Sequence, residues 1–350
     1  MEEKREEKRE SPSRTLVIQT AFLGDVVLTT PLLSALAERY GPVDVVTTPA
    51  AAPLLEGHPA VAEVVPYDKR GVDAGLAGLW HLGRRLRGRR YARAYLPHRS
   101  LRTAALAVLT GAAERTGFAD GTGSVTYTVR IPRPRTGHEI DRLLALVGAK
   151  PDTALRPQLV LDASDRAEAN EWRRRHGVPE AFVALAPGSI WGTKRWPYYG
   201  ELAASLNVPI VVVGGAEDAA LARQVVAAAE GRAWSAAGEL GLRASAALIE
   251  RASVLVTNDS APLHFASAVG TPVVAIFGPT MPAFGFAPRG SHDMVLQQSG
   301  LACRPCSPHG PRVCPLGHHR CMVDLSVERV AAAVSGISGV EARSAIRTGH

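Results

Sequence analysis

The stretch from Leu255 to Thr280, LVTNDSAPLHFASAVGTPVVAIFGPT, constrains the fold of this chain more than any other. Two short apolar runs, Val254–Thr257 and Val273–Phe277, read as strands buried on both faces, as in a parallel sheet. Between them Pro262–Val269 reads as a helix, with Gly270 and Pro272 as its stop signals. The turn Asn258–Pro262 opens that helix at the carboxyl edge of the sheet. Asp259 and Ser260 suit an N-cap, and Pro262 suits a first turn. Free amide N–H groups and the positive helix end then face outward, as an anionic ligand such as a pyrophosphate requires. An ordinary strand–helix–strand unit whose polar turn merely caps the helix fits the same residues.

The alternation recurs along the chain. Thr15–Thr20, Val43–Thr47, Val61–Pro66 and Ala92–Leu96 read as strands, interleaved with helices at about 26–40, 75–87 and 102–109. Four prolines between 131 and 157 punctuate a connector around a helix at 139–147. A second alternation begins at Phe182–Pro187 and continues with a helix at 198–206, a strand at 209–214 and a helix at 219–229. A helix at 326–334 comes last. The implied class is α/β with two doubly wound parallel sheets in tandem. A length of 350 residues accommodates both. The expected divisions are a disordered leader at 1–14, an N-terminal domain at 15–165, a C-terminal domain at 166–325 with a Cys-rich segment at 300–322, and a helix and tail at 326–350.

Charge narrows the partners. Eleven of the residues from 68 to 115 are Lys or Arg against three acids, within a net charge of +7. Such a surface suits phosphates or an anionic membrane face, although a solvated arginine-rich helix has the same composition. Nucleic acid is not expected, because only Tyr91 and Tyr95 interleave the charges and no binding motif accompanies them. No apolar run approaches the roughly 18 residues of a spanning helix. The first ten residues, MEEKREEKRE, lack the apolar core of a signal peptide, so a cytoplasmic location is expected.

Three further clusters carry chemistry. Gly24-Asp25 follows the first strand; an Asp there stabilises a helix start and, at a cleft edge, can also accept a proton from a hydroxyl. In APGSIWGTKRWP, residues 186–197, Ser189, Thr193 and Lys194 put small hydroxyls and a cation at a strand–helix turn, as a phosphate site does. The Walker spacing is absent, and Trp191 and Trp196 can simply cover the sheet edge. In VGGAED, residues 213–218, the glycines permit close backbone approach, with Glu217 or Asp218 capping the next helix; Glu217 is counted with the donor-binding residues below.

All four cysteines, Cys303, Cys306, Cys314 and Cys321, fall within 19 residues. Disulfides are not expected in a cytoplasmic chain. A closed structural zinc knuckle, an iron–sulfur cluster in which His309, His318 or His319 replaces a thiolate, and plain reduced thiols all fit the pattern.

LGDVV at 23–27, APGS…TKRWP at 186–197 and TNDSAPLH at 257–264 together resemble the bacterial heptosyltransferases of glycosyltransferase family nine, across about 15–335. The resemblance implies the glycosyltransferase B arrangement, two Rossmann-like domains facing a cleft, with acceptor on the first and nucleotide sugar on the second. It implies inverting transfer of heptose from ADP-L-glycero-D-manno-heptose to a heptosyl-Kdo-lipid A core, with no divalent ion required. Asp25 matches the general base, Lys194 the diphosphate-binding lysine, and Asp259, Ser260 and His264 the donor loop. Ala261 stands where many members have Gly, and its methyl crowds the backbone's approach to phosphate. The basic segment, with Arg99 and Arg102, would meet the phosphates and carboxylates of a membrane-embedded acceptor. Alternatives are another sugar acceptor within the family and a non-catalytic nucleotide-sugar-binding protein; the latter gains nothing from a carboxylate at Asp25.

Overall fold

The computed structural model describes residues 14–338; the expected leader, apart from Arg14, and the tail beyond 338 lie outside the described residues. The chain forms two compact units. Among the described residues, the first comprises residues 14–21, Leu32–Pro134 and Leu143–Lys150, and the second Phe22–Pro31, Arg135–Arg142 and residues 151–338.

The first unit contains β1 (Thr15–Ile18), the second half of α1 (Leu23–Tyr40), β2 (Val43–Thr47), β3 (Val61–Pro66), α2 (Gly75–Arg87), β4 (Arg93–Leu96), α3 (Leu101–Leu109), β5 (Glu114–Phe118) and β6 (Val129–Ile131). Its sheet runs β3-β2-β1-β4-β5-β6 with every neighbour parallel. That order reverses direction between β1 and β4, the switch point at which doubly wound sheets bind ligands. Leu16, Ile18, Val46, Tyr67, Leu82, Leu96 and Leu106 form its core.

α4 (Glu139–Leu144) follows, divided between the two units. The second unit then contains α5 (Ala163–Arg175), β7 (Val183–Ala186), α6 (Tyr199–Ser205), β8 (Ile210–Val212), α7 (Ala219–Ala228), β9 (Ala233–Ser235), α8 (Leu242–Glu250), β10 (Leu255–Asn258), α9 (Ala261–Val269), β11 (Val273–Phe277), β12 (Met294–Gln297), α10 (Arg320–Val323) and α11 (Val327–Ser338). Its parallel sheet, β12-β11-β10-β7-β8-β9, repeats the first order, with the switch point between β7 and β10. Leu185, Val212, Val256 and Ile276 of this sheet pack with Met322, Leu325, Val330 and Val334, so α10 and α11 close one face.

Several elements escape the sequence reading. β6, β9 and β12 have three or four residues each, too short to show a period. α5 is almost wholly polar, with Ala169 and Trp172 as its buried seam. Its signal is instead a capping box: Asp162 accepts from Ser164 N and Asp165 N while Asp165 accepts from Asp162 N.

α1 starts three residues earlier than the apolar pattern indicates, which places Gly24 and Asp25 inside its first turn. It also carries Pro31 in its interior. Pro31 has no N–H for the Val27 carbonyl, and Thr30 Oγ1 donates to that oxygen instead, at 2.8 Å.

Candidate functional site

The second unit gathers its polar side chains at the β7/β10 switch point. Asn258 ends β10 fully buried; its Oδ1 accepts from Trp196 N at 3.1 Å and its Nδ2 donates to Pro187 O at 2.9 Å. One amide thus fixes the loop after β7 against the end of β10. That loop contains a 3-10 turn, Gly192–Lys194, which directs Lys194 inward. Lys194 Nζ donates to Asp259 Oδ2 at 2.7 Å and to Asp259 O at 3.1 Å, with both side chains about nine-tenths buried. Thr280 Oγ1 donates to the same carboxylate oxygen at 2.7 Å. A buried carboxylate needs partners of this kind, and here a cation and a hydroxyl supply them.

Ser260 stands at the N-cap position of α9, yet its side chain makes no capping bond. The expected Ser260 cap is therefore corrected. Its Oγ lies 3.4 Å from Thr257 Oγ1 and from Asn258 O, so the hydroxyl turns back towards β10 rather than over the helix end. Pro262 lacks an N–H and Leu263 N bonds to Ser260 O, so the helix opens on a tight turn beginning at Ala261. Gly270, at φ +85°, ends it as the sequence indicates.

His264 lies in that first turn, 6% exposed. Burial lowers its pKa to about 4, with Asp259 opposing the shift and Lys194 adding to it. The imidazole is neutral at pH 7. A Cβ on Gly24 would stand 2.5 Å from His264 Cδ2, so only glycine admits the ring there. Asp25 is the next residue, half-buried, with its Oδ2 accepting from Phe22 N at 3.2 Å. The helix start expected of Asp25 is real, and the same turn rests on His264.

Glu217 or Asp218 is expected to cap α7, but Asp218 Oδ2 accepts from Gly215 N at 3.1 Å and closes the preceding 3-10 turn, and α7 has no side-chain capping bond at its Asp218 N-cap. Burial raises its pKa, against the Gly215 amide. Gly188 and Gly214 give its carboxyl room, since a Cβ on either would stand within 3 Å of it. Glu217 is exposed beside it, and Ser189 accepts from Trp191 N at 3.3 Å.

The Cys-rich segment braces the Lys194 turn. Thr193 Oγ1 donates to Pro311 O, His319 Nε2 meets Thr193 O at 2.8 Å, and a Cβ on Gly192 would strike Arg312 O. Cys303, Cys306 and Cys314 are partly buried free thiols and Cys321 is fully buried. Burial pushes Cys321 up to about 11. Burial also raises Cys314, but the amides of His319, Leu316, Gly317 and His318 outweigh it and leave that thiol lowered. Among the described residues, no three His, Cys, Asp or Glu side chains converge closely enough to hold a metal ion. The donor set as placed does not fit one, and no step below runs through a metal.

In the first unit a basic group occupies the corresponding switch point. Lys69 Nζ donates to Thr20 O at 2.7 Å, and His98 Nδ1 lies 3.3 Å from Thr20 Oγ1. Burial, Lys69 and Arg99 together lower His98 to about 4. Arg102 donates to Tyr67 OH at 3.1 Å, whereas Arg99 turns to an exposed pair with Asp120 at 2.6 Å. Lys69 and His98, placed by the ends of β3 and β4, were not singled out as site residues; their positions just past two strands were the available signal.

Two doubly wound parallel sheets, the second with a buried lysine–aspartate pair at its switch point, form an α/β frame of the kind on which nucleotide sites are built. Residues 79–315 match the family model for glycosyltransferase family 9 (heptosyltransferase), and the chain belongs to that family. It is 29% identical over 348 residues to lipopolysaccharide heptosyltransferase 2 of Escherichia coli K12, covering 91% of this chain and 96% of that protein. It is 28% identical to lipopolysaccharide heptosyltransferase 1 of Pseudomonas aeruginosa, covering 90% and 92%. The solved structure of E. coli ADP-heptose lps heptosyltransferase II superposes with a TM-score of 0.77 at 26% identity, covering 93% of this chain and 98% of that one. The chain is thus a glycosyltransferase of the heptosyl-transferring kind, with the α/β fold class its alternation implies.

Proposed function

We propose that this enzyme transfers heptose from ADP-L-glycero-D-manno-heptose to the heptosyl-Kdo-lipid A inner core of lipopolysaccharide, inverting the anomeric carbon. The observation that supports this reading is the close approach of Gly24, the residue before Asp25, to His264 in the first turn of α9, the helix that opens after the buried Lys194–Asp259 pair. An acceptor hydroxyl attacks the anomeric carbon as the bond to the diphosphate oxygen breaks. Its proton passes to the Asp25 carboxylate, and ADP leaves with the electron pair. Lys194, Thr193, Ser189 and the α9 start at Asp259, Ser260 and Ala261 face the charge that grows on the leaving group. Their effect is greatest in the transition state. Lys194 must exchange part of its contact with Asp259 for the diphosphate, and Thr280 keeps the carboxylate partnered meanwhile. Glu217, exposed after β8, is suited to a ribose hydroxyl.

The acceptor would lie on Lys69, Arg99 and Arg102, whose charges match its phosphates and carboxylates. Among the described residues no helix is long and apolar enough to cross a membrane. A cytoplasmic enzyme docking peripherally on anionic lipid is the corresponding location. Val72 and Leu76 are 90% and 82% exposed where α2 begins, beside Arg70, and Trp80 follows one turn on with Arg84 stacked against its ring. Apolar side chains among arginines are what an interfacial surface requires. For the Cys-rich segment, whose thiols do not converge on a metal as placed, elemental analysis of protein purified without chelator decides between reduced thiols and the structural zinc expected from the sequence pattern, at about a tenth of an equivalent or less against about one.

The test of the transfer is mass spectrometry of the product formed from ADP-heptose and truncated core acceptors. Asp25→Asn should lower turnover by about 10²–10⁴-fold with donor affinity little changed. Near-normal turnover would remove Asp25 from the base role, and absence of a heptose adduct in the wild type would sink the reading.

A further inference from the structure

His309 belongs to the Cys-rich segment, and its ring meets aromatic residues outside that segment. Its ring stacks on Trp191 at 6.1 Å between centroids with an interplanar angle of 12°, and meets Phe22 edge-on at 6.1 Å. The next residue, Gly310, has φ +77° and packs against Thr193 Oγ1 and Lys194 Cγ, at 3.3 and 3.5 Å from an added Cβ. The segment is fastened there by the contacts of Pro311, Arg312 and His319 with residues 192–193. The backbone following His309 is therefore held against the Lys194 turn while His309 itself stays exposed. Neither ring nitrogen bonds another described residue. Burial and Lys194 lower its pKa, with Asp259 opposing, so both charges of the donor pair act on this ring and it is neutral at pH 7. A neutral imidazole keeps one N–H to donate.

We propose that His309 is a ligand of the donor's diphosphate, giving an N–H to a phosphate oxygen beside Lys194, with Trp191 and Phe22 fixing the ring plane. The inference rests on the donor-site reading above and adds a residue from a segment outside the three motifs of the resemblance. A hydrogen bond to a charged group contributes enough to bring about a tenfold gain in affinity when one partner is solvent-exposed. Two aromatic neighbours reduce the rotamer freedom that such a contact would otherwise cost.

Titration calorimetry with ADP tests it on the full chain. His309→Ala should weaken ADP about tenfold and leave the melting temperature of the unliganded protein unchanged. His309→Gln, whose amide carries an N–H of similar reach, should regain much of the loss. Affinity within twofold of wild type in His309→Ala overturns the proposal. So does a loss that glutamine does not recover, or one accompanied by lower stability without ADP, since either marks a merely structural ring. Lys194→Ala in the same titration separates the two layers. If that variant also binds ADP normally, the donor-site reading itself fails; if it binds weakly while His309→Ala binds normally, only the histidine assignment is lost.

Discussion

Replacing Lys194 by Ala should separate a structural role from a binding one. The lysine and Asp259 are 11% and 10% exposed and 2.7 Å apart, so deleting the cation leaves a nearly buried carboxylate with Thr280 Oγ1 as its remaining side-chain donor. Breaking such a pair costs about 3–5 kcal/mol. At about 2–4 °C per kcal/mol for a unit of this size, the melting temperature should fall by roughly 6–20 °C. The double variant Lys194→Ala/Asp259→Asn removes the stranded charge, and the amide still accepts from Thr280. It should therefore melt well above the single variant, because isosteric neutral groups avoid the desolvation cost. Donor binding should behave oppositely. Loss of the ammonium should weaken ADP by about 10–10²-fold in both variants, because no other cation takes its place. Differential scanning calorimetry and titration calorimetry on the same three proteins read both quantities. If the double variant regains ADP affinity along with stability, the lysine serves only to hold Asp259 and the reasoning is refuted.

Gly24→Ala should push the His264 ring aside, costing about 1–3 kcal/mol by overpacking, and turnover should fall by up to about 10²-fold through displacement of Asp25; steady-state kinetics with full activity would show that the turn tolerates the methyl. His264 titrates near 4 when folded and near 6.5 when unfolded, so its contribution is complete above pH 6.5 and is lost as pH falls towards 4. Chemical denaturation across that window should lose roughly 3 kcal/mol from this residue, and His264→Gln should flatten the slope; an unchanged slope would place the proton uptake elsewhere. With iodoacetamide at neutral pH, Cys314 should react first and Cys321 last, since backbone amides favour the Cys314 thiolate and burial disfavours that of Cys321. Peptide mass spectrometry reads the order, and equal protection of all four thiols would indicate a shared metal instead.

The sequence made the central frame legible wherever burial on both faces produced continuous apolar runs, as at Val273–Phe277 and Val43–Thr47. It was silent on edge strands such as Val129–Ile131, whose residues are largely exposed and carry no apolar run. The polar cluster at the β7/β10 switch point was legible because turn chemistry concentrates at strand ends, which brought Lys194, Asp259 and His264 forward together. What it could not give was pairing. Nothing in the order of residues says that Asp259 neutralises Lys194, that Ser260 leaves its helix uncapped, or that His264 rests on Gly24. Those contacts join positions 65, 2 and 240 residues apart or depend on a rotamer. His309 was seen in the sequence only as a substitute thiolate, because its stacking partners Trp191 and Phe22 are remote in the chain.

The brace on the Lys194 turn is made largely of main-chain oxygens: Pro311 O receives Thr193, Arg312 O faces Gly192, and Thr193 O meets His319. Carbonyls are common to every residue type. Substitutions at 311 and 312 that preserve the backbone path can therefore accumulate without disturbing the Lys194 turn, whereas a single residue inserted or deleted just ahead of 311 would shift both of the segment's bracing oxygens at once. Drift in this segment should be tolerant in letters and intolerant in length.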